Sequence, residues 1–109
     1  MILTRNYNLD VVPGGLPLLI RVSRKDTSST LVFSLYAGKG ALDIPTGTTA
    51  TVRGKATAPA TFSIVNSIPT VTVDLTVDMT DTVGWIPFEV VLQSGEYRLV
   101  TATFYLDVR

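Results

Sequence analysis

The sequence predicts an all-β sandwich folded as a single domain, and three observations carry that prediction. The first is Thr70-Val71-Thr72-Val73-Asp74-Leu75-Thr76-Val77-Asp78, where polar and apolar residues alternate without a break. A period of two marks a strand with one buried and one wet face, because successive side chains point to opposite sides of a sheet. Val71, Val73, Leu75 and Val77 are thereby assigned to a core, and Thr72, Asp74, Thr76 and Asp78 to water. The second is recurrence: about eight short segments of this kind follow one another, with turn residues roughly every 8–12 positions. The third is composition, since sixteen threonines, mostly on the polar faces, favour strand over helix.

Each element follows from the same alternation. Thr4–Val12 places Tyr7, Leu9 and Val11 on one side, and Pro13-Gly14-Gly15 breaks it. Leu18, Ile20 and Val22 point inward in the next strand, with Arg21 and Ser23 outward; Arg24–Thr30 reads as a loop. Leu31–Ala37 carries Leu31, Phe33 and Leu35 on one face and Val32, Ser34 and Tyr36 on the other, the signature of a central strand covered on both sides. Gly38-Lys39-Gly40 and Asp43–Gly47, around Pro45, are turns. Thr48–Gly54 is a short strand with Ala50 and Val52 inward, and Lys55–Ala60 a loop ending at Pro59. Phe62–Val65 and Thr70–Val77 form a hairpin through Asn66-Ser67-Ile68-Pro69. Trp85–Gln93 and Glu96–Val108 form a second one at Ser94-Gly95. In its last strand Val100, Ala102, Phe104, Leu106 and Val108 make one face, and Thr101, Thr103, Tyr105 and Asp107 the other. No segment reads as a helix.

Composition bounds the function classes. The 109 residues fit one domain with a single core, and 46% hydrophobic against 17% charged residues excludes a disordered chain. Nine basic and nine acidic residues give no net charge, so no global field attracts nucleic acid or an anionic membrane. Without cysteine there are no disulfides, thiolate nucleophiles or Cys-based zinc sites. The longest apolar run, Leu16–Ile20, falls far short of the ~20 residues of a membrane span, and Met1–Arg5 lacks the pattern of a signal peptide. The chain reads as a soluble domain.

Candidate chemistry is sparse. Asp74, Asp78 and Asp81 are the densest acidic group, but Asp74 and Asp78 four apart on a strand stand about 13 Å apart. That separation suits neither one shared cation nor a glycosidase pair, so no metal is assigned. Arg21, Arg24 and Lys25 make a basic patch too small for nucleic-acid binding and better read as a solubilising loop or partner contact. With no histidine, serine or threonine catalysis lacks its usual base, and Gly38-Lys39-Gly40 lacks the pattern of a phosphate loop. No catalytic residue and no cofactor are assigned, and the chain is read as a non-enzyme. Trp85, in a strand with Ile86, Phe88 and Val90, is placed in the core or at a sandwich corner rather than at a ligand.

Three segments, in order, resemble the N-terminal immunoglobulin-like domain of the phage baseplate upper protein family. They are Asn8-Leu9-Asp10 leading to Leu16–Arg21, then Thr30–Gly40 continuing to Ile44–Gly54, and the closing Thr101–Val108. The resemblance implies an immunoglobulin-like antiparallel β-sandwich of about 7–9 strands. It also implies a virion structural role, in the tail baseplate or in a capsid fibre or decoration, and docking to other phage structural proteins. In that family the domain commonly opens a longer protein, so the chain is expected to be such a docking domain or a short stand-alone member. Virion parts are usually symmetric, and a homo-oligomer, a trimer first, is expected. Terminal strands often form sheet edges, so Thr4–Val12 or the last strand is expected at the contact, with Arg5, Tyr7, Arg53 and Tyr105 as contact residues. The alternative is a carbohydrate-binding or adhesin module that stacks sugars on Trp85, Tyr36, Tyr97 or Tyr105.

Overall fold

The computed structural model describes residues 3–12, 18–37, 44–45, 47–101 and 103–109. Their elements in chain order are β1 (Leu3–Asp10), β2 (Leu18–Val22), β3 (Ser29–Tyr36), β4 (Thr49–Gly54), β5 (Ala58–Val65) and β6 (Ile68–Asp74). A single helical turn, α1 (Val77–Thr80), precedes β7 (Gly84–Ser94), β8 (Tyr97–Val100) and β9 (Phe104–Val108). The all-β expectation is met.

Hydrogen bonding joins the strands in the order β1-β3-β6-β5-β4-β7-β9-β2, with β8 on the far end of β7. The path folds over at β5. Its residues Ala58–Ala60 pair with β4, and Thr61–Val65 pair with β6. One strand thus belongs to both layers: β1, β3 and β6 lie to one side of it, and β4, β7, β8, β9 and β2 to the other.

The core forms where inward faces meet. Leu31, Phe33 and Leu35 of β3, Val71 and Val73 of β6, Phe88, Val90 and Leu92 of β7, and Phe104, Leu106 and Val108 of β9 are all buried. Those of β3, β6 and β9 are residues that the period of two places together on one face. The Phe33 ring of one layer lies 4.9 Å from Phe104 of the other, and Phe104 stacks 5.8 Å from Phe88. The outer side chains of β3 are half-buried, as its two partly apolar faces lead one to expect.

Strand direction differs from expectation at both ends of the path. The interior pairs are antiparallel, but β1 runs parallel to β3 and β2 parallel to β9. The closing strand, expected at an edge, lies between β7 and β2.

The Thr70–Asp78 alternation also stops early. β6 ends at Asp74, and Thr76 caps α1, its Oγ1 accepting the Met79 N–H at 3.4 Å. Asp78 stands in the first turn, where a negative charge is favoured. Val77 is consequently exposed, and Met79 takes the next core position. A threonine in an alternating run is an equally good strand residue and helix cap, so periodicity alone did not separate the two.

A β-bulge corrects the last strand. Val91 pairs with Val100 and Phe88 with Phe104, so between these pairs the closing segment is one residue longer than β7. The extra residue reverses the alternation. Thr101 is buried and Val100 only half-buried, opposite to the expected faces. The Thr101 N–H donates to the Val90 carbonyl at 3.0 Å, and its hydroxyl accepts the Val90 N–H at 3.1 Å.

Turns shift by a residue or two. β5 begins at Ala58, inside the expected loop, and the β5–β6 turn is Asn66-Ser67 alone. Both have positive φ, 51° and 65°, the geometry of a two-residue hairpin turn matched to strand twist. The β7–β8 turn is Gly95–Glu96. The expected turns at Pro13-Gly14-Gly15 and Gly38-Lys39-Gly40, together with Asp43 and Ala102, lie outside the described residues.

Thr101→Val keeps the size of the side chain and removes the acceptor of a buried N–H. It should lower the unfolding free energy by about 1–3 kcal/mol in urea titration. Gly54→Ala should also destabilise, because an added Cβ would lie 2.6 Å from both Phe88 Cδ1 and the Pro87 carbonyl oxygen.

Candidate docking surface

Among the described residues, the two ends of the strand path, β1 and β2, each leave one side unpaired. Leu3 N–H donates to Ser28 O and Val11 N–H to Tyr36 O, so the backbone groups of odd β1 residues face β3. Those of Thr4, Asn6 and Asn8 therefore face away. In β2 the Val22 carbonyl accepts from Arg109 N–H, which leaves the groups of Leu19 and Arg21 on the free side. The Arg21 carbonyl is taken: Arg5 Nη1 of β1 donates to it at 2.7 Å. One guanidinium thus ties the two edges of the sandwich together. It also stands 5.8 Å above the Tyr7 ring, and Tyr7 in turn lies 6.2 Å from Phe33.

A second surface lies on the outer face of the β2–β9–β7 sheet. Register aligns Leu19, Tyr105 and Pro87 in one row, and Arg21, Asp107 and Trp85 in the next. Trp85 is 65% exposed, and its ring lies 6.4 Å from Tyr105. Trp85 is therefore not a core or corner residue. The signal was present in the sequence. Trp85 shares the parity of Glu89, whereas Phe88 and Val90 have the opposite parity and fill the core. Leu19 and Val83 are exposed as well.

Asp107 anchors this face. Its side chain is only 7% exposed although it sits on the outer side, and its carboxylate accepts from Arg109 Nη2 at 3.1 Å and Nε at 3.2 Å. The Arg21 Nε lies 3.8 Å away, and both arginine side chains stay largely exposed. The buried carboxylate thus holds the Arg109 guanidinium by hydrogen bonds and attracts that of Arg21 in the row shared with Trp85.

The expected contact residues do not form one surface. Arg5 and Tyr7 lie on the inward-facing side of β1, bound to neighbouring groups. Arg53 shares the outer face of the second layer with Tyr105, but is held at 2.6 Å by Glu89 of β7. Tyr36 and Tyr97 are half-buried, and Tyr97 packs against the core. Only Trp85 and Tyr105 of the proposed sugar platforms are brought together.

The charged clusters disperse in the same way. Asp74 accepts from Thr30 Oγ1 at 2.7 Å, Asp78 stands in α1, and Asp81 pairs with Lys55. Among the described residues no three acidic side chains are grouped as a metal site would require. Arg24 Nε donates to the Asp81 carbonyl, and Lys25, with φ at 62°, donates its N–H to Thr80 O.

Asp26 is the hub of the β2–β3 loop. It accepts from the Ser28 N–H at 2.8 Å and from the hydroxyls of Ser28 and Ser29 at 2.9 and 3.0 Å. Partial burial pushes its carboxyl up, but these donors, with the charge of Arg5, outweigh that and hold it below the usual aspartate range.

The fold defines an all-β two-layer domain with an exposed aromatic face and no evident reactive centre among the described residues. Among solved structures, the chain is similar to the N-terminal domain of phage TP901-1 ORF48, with a TM-score of 0.73 at 15% sequence identity. The match covers 98% of this chain and 99% of that one. No protein-family model matches the sequence, and no curated protein does.

Two measurements check this description. Acrylamide should quench the fluorescence of Trp85, the sole tryptophan, nearly as well in the native protein as in urea; strong native shielding would place it inside. For Asp26 the folded-state value is depressed, so its stabilisation is present above the unfolded pKa, near ~3.9, and is lost as pH falls below it. Asp26→Ala should therefore flatten the dependence of stability on pH between about pH 4 and pH 2 in urea titrations.

Proposed function

We propose that this chain is a structural domain of a bacteriophage virion, a non-catalytic module that docks to other phage structural proteins. The observation that carries the reading is the end-to-end structural likeness to a phage domain, 98% of this chain on 99% of that one. The resemblance to the baseplate upper protein family, read from Asn8–Asp10 with Leu16–Arg21, Thr30–Gly40 with Ile44–Gly54, and Thr101–Val108, points the same way and is shared by tail-baseplate and capsid-fibre or decoration domains; we take the tail baseplate as the place to test. The contact we assign is the outer face of β2, β9 and β7. Trp, Tyr and Arg are the residue types that dominate binding energy at protein interfaces, and Trp85, Tyr105 and Arg21 stand together there. Asp107, 3.8 Å from the Arg21 Nε, draws that guanidinium toward this face before any partner arrives.

A second reading rests on the exposed Trp85 ring beside Tyr105, which also suits stacking of a pyranose. A glycan array with calcium titration separates the two: reproducible sugar binding that Trp85→Ala abolishes favours the carbohydrate module.

The test of the main reading is a phage that encodes this chain. Purified particles should contain it, and immunogold labelling should place it on the tail tip. When the gene is deleted and supplied in trans, Trp85→Ala and Arg21→Glu should fold but lose incorporation by about tenfold or more, as expected for a hot spot. Particles that lack the chain would sink the reading.

A further inference from the structure

The β5–β6 hairpin carries a third surface unlike the rest of the molecule. From Ala56 through Val73 the sequence contains no Asp, Glu, Lys or Arg, although both strands reach the surface. At its tip Ile64, Val65 and Ile68 are 42%, 51% and 47% exposed. Register places Ile64 opposite Pro69 on one face, and Val65 opposite Ile68 on the other, so the tip is aliphatic on both sides.

The same tip is an open edge. Asn66-Ser67 is a two-residue turn, so its flanking pair Val65–Ile68 is hydrogen-bonded, and the odd residues of β5 direct their backbone groups to β6. The N–H and C=O groups of Phe62 and Ile64 then point the other way. Pairing with β4 ends at Ala60, and among the described residues no backbone partner lies beyond it. The edges at the two ends of the strand path are guarded, and β8, paired on one side only among the described residues, carries Arg98. β1 carries Arg5 and Asp10, and on β2 the Arg21 carbonyl is occupied by Arg5.

We infer that the Thr61–Val65 edge pairs with the same edge of a second copy of this chain, antiparallel about a twofold axis through Ser63. Charge selects that occupant. A twofold contact sets residues near its axis against their own copies, and like charges directly opposed on paired strands repel. A stretch without charge is free of that repulsion, whereas Arg5, Asp10 or Arg21 would meet it. In this register Phe62 faces Ile64 of the second copy, and the reverse, closing four backbone hydrogen bonds. Ile64 becomes covered by a neighbouring phenylalanine, and Ser63 faces Ser63. The inference concerns the free chain and is independent of the virion reading; it gives a dimer where the family resemblance suggests a trimer.

Sedimentation equilibrium of the purified chain should show a concentration-dependent monomer–dimer equilibrium. Ser63→Glu and Ser63→Lys, both at an exposed position, should each weaken it about three- to tenfold, and an equimolar mixture of the two should restore it. Opposed Ser63 residues form a non-hydrogen-bonded pair with Cα atoms ~4.5 Å apart, within disulfide range, so Ser63→Cys should cross-link under mild oxidation. The chain has no cysteine of its own, and Thr27→Cys on an exposed loop serves as the control. A chain that stays monomeric to about 1 mM overturns the inference. So does a trimer, or a dimer that is indifferent to charge at Ser63 and cross-links no faster through Ser63→Cys than through Thr27→Cys.

Discussion

The contact between Phe33 and Phe104 is the interaction on which the rest of the sandwich depends. Phe33 belongs to the layer of β3 and β6, and Phe104 to the layer of β7 and β9; their rings meet at 4.9 Å. Phe88 stacks on Phe104 from the neighbouring strand, and all three rings are fully buried. Burying each such side chain contributes about 1.5–3 kcal/mol, with about 0.5–1.5 kcal/mol more for each favourable ring pair. The extra residue between Val100 and Phe104 fits with this ring packing. Without the extra residue, the alternation set by Leu99 would turn Phe104 outward; with it, Phe104 returns to the core.

The same constraint decides what is left for binding. Once β5 crosses between layers and β9 is enclosed by β7 and β2, the free backbone groups among the described residues lie at the path ends, along β8 and at the β5 tip. Arg5 occupies one of the end groups. Inside the outer edge of β2, the face of β2, β9 and β7 is paired in the plane of the sheet, so its binding capacity resides mainly in side chains. The β5 tip is the reverse: its side chains are plain aliphatics, and its open hydrogen bonds give direction. The molecule therefore offers two chemically distinct contacts.

The strands were legible because period two and burial coincide. Leu31, Phe33 and Leu35, or Val71, Val73 and Leu75, needed nothing beyond alternation to be placed in the core. What failed did so for local reasons. Thr76 serves a strand and a helix cap equally well, and its Oγ1 bond to Met79 is invisible to periodicity. The bulge is a one-residue event between two apolar runs of opposite parity, and Thr101 hides it because threonine is at home on either face. The parallel pairing of β1 and β2 is tertiary, set by which layer each edge joins, and alternation carries no sign of direction.

The candidate surface was half legible for a related reason. Composition alone places tryptophan indoors more often than not, whereas parity places Trp85 with Pro87 and Glu89, facing out. Parity is the stronger constraint, because a single residue cannot turn inward without turning its whole strand. Asp107 shows the converse. Its parity is outward and it is nevertheless almost fully covered, with Arg21 and Arg109 against its carboxylate and Trp85 beside it in the same row. An outward carboxylate hidden beneath two arginines does little for the core. It orders charge on a face that the fold could have left disordered, and this is the arrangement expected where a partner must find those arginines already in place.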